Sequence, residues 1–437
     1  MKNLNQKAYS QNPVITGIFT ADPSAHVWED GKIYIYASHD MDPPRGCDLM
    51  DRYHVFSSED MVNWIDEGEI LSSDQVSWGR PEGGFMWAPD CACKNGTYYF
   101  YYPHPSGSDW NSTWKVGVAT SSKPASGFKD IGYIEGIGGF ALIDPCVFVD
   151  DDGRAYFYYG GGGKCLGGEL NDDMISLKSG IQEMTGLYDF HEATWVFKRK
   201  DIYYLTYSDN LPGRNCMRYA VSSSPLGPWE HKGIFLEPTG CDTTHGSVAE
   251  YKGQWYLFYH NQALSGHGCL RSVCIDYLYF NEDGTIKTVV QTKQGVSAVG
   301  PAPEPGPNLK KYPSGNCIAA GGAVIDSKQD DLNAKIIKNL HIPGSSCRFT
   351  GIDGANGGRA TIRIYYATSE KLAKLNLTVN ENEYTLINAP FTGGSENYSG
   401  CTYITVTLAA GETNTITFTG GNGEISIDYI TISPFGN

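Results

Sequence analysis

Five segments of the chain share one grammar: a short polar or proline-containing start, an apolar run, a turn, and an aromatic strand. They read ADPSAHVWEDGKIYIYASHD from Ala21, APDCACKNGTYYFYYPH from Ala88, DPCVFVDDDGRAYFYYGG from Asp144, HEATWVFKRKDIYYLTYSDN from His191 and HGSVAEYKGQWYLFYHN from His245. In each, a turn of type DG, NG, DG, RKD or KG joins two runs of alternating apolar and polar residues, the mark of a β-hairpin. Starts at Asp22, Ala88, Asp144, Glu192 and His245 are 66, 56, 48 and 53 residues apart. That is the period of a four-stranded propeller blade with its loops, and longer than a solenoid repeat. Residues 1–300 are therefore expected to form a five-bladed β-propeller, a closed all-β disc without long exposed edges. The 29 tyrosines and 52 glycines agree: the former fill the blade strands, the latter the turns.

Equivalent repeats place equivalent residues at one radius. Three carboxylates, Asp22, Asp144 and Glu192, and one imidazole, His245, are thus expected at one end of a narrow axis. Singly, Asp22-Pro23 or Asp144-Pro145 reads as a turn dipeptide. Together they would repel and desolvate one another, a cost that a purely structural channel has no reason to carry. Two carboxylates across a pocket are the equipment of glycosidic bond cleavage, one protonated to donate to the leaving oxygen and one ionised to activate water. The longer Glu192 suits the acid, Asp22 the base, and Asp144 a third group that keeps Glu192 protonated and turned. Blades one and four are not adjacent, which suits the roughly 6.5–9.5 Å separation of an inverting pair.

Residues from about Asn12 to Thr292 resemble glycoside hydrolase family 43, five-bladed propeller enzymes acting on arabinose- and xylose-containing glycans. The motifs that carry the likeness are ADPSAHVWEDGKIYIYASHD, MWAPDCACKNGTYYFYY, IDPCVFVDDDGRAYFYYGG, FHEATWVFKRKDIYYLTYS and THGSVAEYKGQWYLFYHN. The resemblance implies inversion, with the base on Asp22, the pKa-modulating aspartate on Asp144 and the acid on Glu192. It implies a sugar-facing wall at Trp87, an arginine for sugar hydroxyls at Arg271, and a channel histidine at His245 beside a structural calcium or its waters. No cofactor is required for the reaction. The tract SSEDMVNW reads as a solvent-side blade turn.

Near residue 300 the text changes to GPAPEPGPNLKKYPSG, a stiff proline-rich linker over 301–311. Beyond it, short alternating runs such as ATIRIYYATS, TYITVTLAA and ISIDYITIS predict an antiparallel β-sandwich over 312–437. Tyr312 to Ser433 resembles carbohydrate-binding module family 6. Its first strand, CIAAGG, lacks the acidic pair that helps hold that family's structural calcium. Only Tyr398 and Tyr403 stand where the family places stacking tryptophans, so the domain reads as a glycan anchor or a structural companion.

Charge narrows the partners. The chain carries a net −16; residues 305–437 contribute −1 and residues 1–304 the other −15. Nucleic acid is excluded, since phosphate contacts need Lys and Arg concentrated on one face, and an anionic membrane surface is disfavoured. The same charge disfavours a propeller phosphorylase, which needs a basic channel mouth. The 12 cysteines lack paired zinc-site spacing and are expected as buried free thiols of a reducing compartment. The opening MKNLNQKAYSQNP has no apolar core, so the chain as written is expected in the cytoplasm, and in the periplasm or outside the cell if a leader has been removed. The functional expectation is an inverting α-L-arabinofuranosidase on arabinoxylan-type glycans. β-Xylosidase and arabinanase are the alternatives within the family, and a non-catalytic glycan-binding propeller is the alternative outside it.

Overall fold

The computed structural model describes residues 9–42, 48–138, 141–300 and 309–436. The chain divides into two compact units, of which the second takes in residues 16–18 besides the C-terminal part of the chain. In the first, four antiparallel four-stranded sheets follow one another along the sequence, and a three-stranded sheet completes the five blades. The first strands of the blades are Thr20–Val27, Asp90–Lys94, Cys146–Val149, Glu192–Arg199 and Gly246–Tyr251. They pack against one another and so line the axis. The three-stranded fifth blade ends at Ser272–Tyr277, where the start of the chain is tied on. Val14 N–H donates to Val273 O (2.8 Å) and Asn12 Nδ2 to Ile275 O (2.9 Å). Beginning and end of the repeat series are thereby held together.

Strand pairing sets which residues are equivalent. Ser24 lies opposite Tyr36, Asp90 opposite Tyr101, Cys146 opposite Tyr158, Trp195 opposite Thr206 and Ser247 opposite Phe258. The next residue in a blade donates its N–H to this position in the preceding blade: Ala25 to Ser247 Oγ, Val147 to Asp90 Oδ2 and Val196 to Cys146 Sγ. Two residues earlier lie Asp22, Ala88, Asp144, Ala193 and His245. Glu192 thus departs from the expected equivalence: it sits one residue before that ring, opposite Ser208 as Ala21 sits opposite Ser38. Both blades carry the same one-residue bulge, between Ala21 and Ser24 and between Glu192 and Trp195, so their registers agree and the acid of the fourth blade stands one residue before the position that Asp22 occupies. The bulge holds Asp22 (φ 53°) and Ala193 (φ 66°) in the left-handed region. Asp144 (φ 51°) shares that conformation. Backbone strain of this kind in non-glycine residues gathers where function demands it.

The core lies between blades. Tyr36, Tyr101 and Tyr158 are repeat-equivalent and fully buried. Each hydroxyl donates to a carbonyl of the following blade, at Pro124 (2.6 Å), Met174 (2.8 Å) and Pro225 (2.6 Å). A tyrosine at this position therefore fills the interblade space with its ring and satisfies its own hydroxyl. The tract SSEDMVNW differs from expectation. Asp60, Met61, Val62 and Trp64 are buried, and Asp60 Oδ1 accepts the N–H of Val62 and Asn63. This turn is packed inward because its carboxylate satisfies the backbone that water would otherwise serve.

The second unit is a sandwich of two antiparallel sheets. One orders Val324–Ser327, Lys335–Lys338, Ser426–Gly436, Gly358–Ala367 and Gly400–Leu408; the other Ile318–Ala320, Ser346–Ile352, Asn414–Asn422, Leu372–Val379 and Asn382–Pro390. Alternate residues such as Ile362, Ile364, Ile430 and Ile432, and Leu375, Leu377, Ile416 and Phe418, are buried, the period-two pattern of strands with one inward face. Residues 301–308 of the linker lie outside the described residues. Lys310 and Lys311, read as the linker's end, already belong to a strand, Lys310–Pro313, paired with Ser426–Gly436. Lys328 Nζ lies 4.6 Å from the centroid of the Tyr398 ring, and Arg363 Cζ 5.9 Å from that of Tyr403. All eleven cysteines among the described residues are free, and no helix among them is long and apolar enough to cross a membrane.

Candidate active site

Asp22 is clamped from three directions. Arg271 Nη1 donates to Oδ1 (2.8 Å) and Ser38 Oγ to Oδ2 (2.8 Å), while the Asp22 N–H donates to His260 Nδ1 (3.1 Å). That last bond fixes the tautomer, so His260 Nε2 carries the proton and donates to Thr243 O (2.9 Å). Burial holds His260 neutral, with its pKa pushed down to about 3. Burial would also raise the Asp22 pKa, but the Arg271 charge outweighs it and, with the hydrogen bond from Ser38, holds the carboxyl below its ordinary value. Asp22 is the ionised carboxylate of the site.

Asp144 and Glu192 lean the other way. Asp144 Oδ2 accepts the Ala193 N–H (2.6 Å) and lies 3.7 Å from His245 Nδ1. Burial, and the charges of Glu192 and Asp22 against that of His245, push it up to about 7. Glu192 Oε1 accepts from Asn210 Nδ2 (3.4 Å), and Oε2 lies 3.7 Å from His191 Nε2. Burial and the Asp22 charge push Glu192 up to about 7 as well, against Arg271. The three acids are thus close enough to set one another's protonation, and the Asp144–Glu192 pair titrates as a unit. One firmly ionised carboxylate stands beside a pair that keeps a proton near neutrality, and such a set can donate to one oxygen while taking a proton from another.

Trp87 packs with Trp114 (centroids 4.4 Å apart), Phe85 (5.9 Å) and Trp110 (6.3 Å). Its carbonyl accepts the Tyr53 hydroxyl (2.6 Å), and Tyr53 lies beside Asp22 and Asp144, whose charges together with burial push its pKa well up. The aromatic wall therefore borders the acids. Arg271 is buried and fully engaged. Besides Asp22, it donates through Nε and Nη2 to both oxygens of Asp40 (2.9 and 2.8 Å), through Nη1 to Thr243 Oγ1 (2.9 Å), and through Nη2 to Met50 Sδ (3.6 Å). A sugar hydroxyl would have to replace Thr243 or Met50 to reach it. His245 faces Asp144, and no cluster of three or more His, Cys, Asp or Glu that could hold a metal occurs among the described residues. One imidazole already set against a carboxylate is a poor fit to a calcium site, whose ligands are six to eight oxygens.

Residues 10–286 match the family model of Glycosyl hydrolases family 43. The chain belongs to this family. Over 333 residues, covering 63% of this chain and 98% of the other, the family 43 chain is 36% identical to Xylosidase/arabinosidase 43A of Humicola insolens. Over 455 residues, 89% of this chain and 85% of the other, it is 28% identical to Arabinoxylan arabinofuranohydrolase of Bacillus subtilis (strain 168). Among solved structures it is similar to a β-xylosidase/α-arabinofuranosidase from a compost microbial metagenome, crystallised with xylotriose in a calcium-free form. That likeness has a TM-score of 0.59 at 34% identity, covering 64% of this chain and 97% of that one. The family 43 chain is thus a glycoside hydrolase. Residues 324–432 match Carbohydrate binding module (family 35), which corrects the family number expected for the second domain. Short alternating strands occur in many sandwich modules, so the strand pattern identifies the kind of domain and not the family.

Several residues around the site escaped the reading of the sequence. Asp40, Ser38, His260, Tyr53 and Asn210 all touch or border the acids, and most sit at or just past the ends of second strands. Register makes Asp40 and Asn210 equivalent, two residues beyond the paired Ser38 and Ser208. Each serves the acid of its own blade, Asp40 through Arg271 and Asn210 directly. The signal was present in the paired endings ASHD and YSDN.

Proposed function

We propose that the protein is an inverting, exo-acting α-L-arabinofuranosidase of arabinoxylan-type polysaccharides and their fragments. Asp22 is the general base that activates water, Glu192 the general acid that protonates the leaving oxygen, and Asp144 the modulator that keeps Glu192 protonated. The observation that carries this reading is the split in acidity at one end of the axis, Asp22 held below its ordinary pKa while Asp144 and Glu192 are raised to about 7. Asp22, fixed by Ser38 and Arg271, takes a proton from water approaching the anomeric carbon. As the glycosidic bond breaks, Glu192 passes its proton to the departing oxygen, so both carboxyls exchange protonation state in a single displacement. Ala193 N–H holds Asp144 beside Glu192 throughout. The arabinose preference is supported by the relative named for arabinoxylan, whose likeness runs across both domains of this chain. β-Xylosidase action is the second reading, supported by the relative whose name carries both activities.

The test is the sugar released. Wild-type protein is incubated with arabinoxylan, linear arabinan, xylo-oligosaccharides and aryl pentosides, and the products and their first-formed anomer are followed by NMR. Arabinose from arabinoxylan, released with inverted configuration and lost in Glu192→Gln, is the expected result. Xylose from xylo-oligosaccharides alone would replace this reading by the second. No turnover on any pentoside would refute both readings.

A further inference from the structure

The rim beside the aromatic wall holds a tryptophan that the catalytic reading does not use. Trp110 is 39% exposed, in a loop otherwise made of polar and small residues, SGSDWNST. The loop is braced at its base and along its length. Ser106 N–H and Oγ both donate to Thr113 O (2.8 and 2.9 Å), and Thr113 Oγ1 donates to Asp109 O (2.8 Å). Ser112 Oγ donates to Asp109 Oδ2 (2.6 Å), and Ser108 Oγ reaches across to Glu82 Oε1 (2.7 Å). One face of the Trp110 ring is stacked on Phe85 (5.1 Å, 19° between planes), and its edge meets Trp87 and Trp114 (6.3 and 6.5 Å).

Phe85 is itself placed with care. Arg80 lies over its ring at 5.2 Å, and it follows Gly84, where a side chain at φ 74° would strike the Asp48 carbonyl at 2.0 Å. The loop and the glycine turn therefore hold an indole at the edge of the wall and leave it in water. An exposed single apolar residue is ordinary on a protein surface. One that is stacked, braced and continuous with the wall beside the acids is a platform.

We propose that Trp110 is a leaving-side subsite that stacks on a sugar ring of the chain left behind when the terminal pentose is cut. This rests on the pentosidase reading above. The acids and Arg271 are buried, so the released pentose is the sugar they enclose. The rest of the substrate stays outside them, where Trp110 presents its ring. An indole face binds the apolar C–H face of a pyranose without reading its hydroxyls, which suits a xylan backbone carrying branches at irregular positions.

Trp110→Ala and Trp110→Phe are compared with wild type in the full chain, on an aryl arabinofuranoside and on an arabinose-branched xylo-oligosaccharide. In the alanine variant the oligosaccharide KM is expected to rise about tenfold at unchanged kcat, the size of one lost aromatic stacking contact. Turnover of the aryl substrate should stay within about twofold, and the phenylalanine variant should recover most of the loss. Xylohexaose should also inhibit aryl hydrolysis about tenfold more weakly in the alanine variant. An unchanged oligosaccharide KM, or equal losses on both substrates, overturns the subsite. If wild type cleaves no pentoside, the pentosidase reading fails by itself. Trp110 is then judged by calorimetric titration of wild type and Trp110→Ala with xylohexaose, where equal affinities refute the platform and weaker binding by the variant upholds it.

Discussion

Arg271 Nη1 lies 2.8 Å from Asp22 Oδ1 while the same guanidinium grips both oxygens of Asp40. One cation is thus shared by two buried carboxylates, and how strongly it lowers the Asp22 pKa depends on how much of its charge Asp40 takes up. Arginine's planar fork can serve both partners at once, which a lysine ammonium cannot.

Arg271→Lys should therefore lower kcat by roughly 10- to 100-fold through a misplaced base, and raise the acid limb of the kcat/KM profile, because Asp22 loses part of what holds it ionised. Asp40→Asn should move that limb the other way, since Arg271 then acts on Asp22 alone. Opposite displacements in pH–rate profiles on an aryl pentoside support the shared-cation account; displacements of the same sign contradict it.

The alkaline limb belongs to the Asp144–Glu192 pair. Both are raised to about 7, and the acid works only while the pair holds its proton. kcat/KM should fall as pH rises through about 7, and Glu192→Gln should lose about 10²–10⁴ in kcat on a poor leaving group but much less on an activated aryl group. A profile flat to pH 9 would show that this pair does not supply the proton.

The same raised pKa values cost stability. A carboxyl whose folded pKa lies above its unfolded value stabilises the fold when protonated, below about pH 4, and that contribution is lost as pH rises through about 7. Asp144→Asn keeps an oxygen for the Ala193 N–H and never ionises. Its Tm should exceed wild type by several degrees at pH 8.5 and by little at pH 5, read by calorimetry. An equal gain at both pH values would point to packing instead of charge.

How far the sequence led depends on what each feature required. The blades were legible because every hairpin must satisfy its own turn chemistry and alternation, and Tyr36, Tyr101 and Tyr158 recur for one packing reason. The convergence of Asp22, Asp144 and Glu192 followed from repeat arithmetic. The offset of Glu192 did not, because only strand register shows that Glu192 is the equivalent of Ala21 and Ala193 that of Asp22. Nor was Arg271's grip on Asp40 visible: the two are 231 residues apart and meet only when the ring closes. Asp60 misled for a related reason, since a polar turn looks solvent-exposed until its carboxylate is seen to satisfy its own backbone.

The first blade also contains a buried charge cluster apart from the catalytic groups. His54 is buried between Asp66 and Glu69, with its two ring nitrogens 3.6 and 3.5 Å from their oxygens. Arg52 holds Glu69 from outside at 2.8 Å. Burial opposes the imidazolium, but the two carboxylates outweigh it and push His54 up to about 9; His39, edge-on to it at 5.0 Å, is pushed down by burial and by the His54 charge. A histidine raised in the folded state contributes fully below its unfolded value near 6.5, and the contribution fades as pH passes about 9. His54→Gln should then destabilise the propeller by about 3 kcal/mol at pH 6, partly because Asp66 is left buried without its cation. The difference should shrink markedly by pH 10, where the wild-type imidazole is neutral too. Urea unfolding of both proteins at the two pH values checks this, and an equal loss at pH 6 and pH 10 would show that His54 acts through its shape alone.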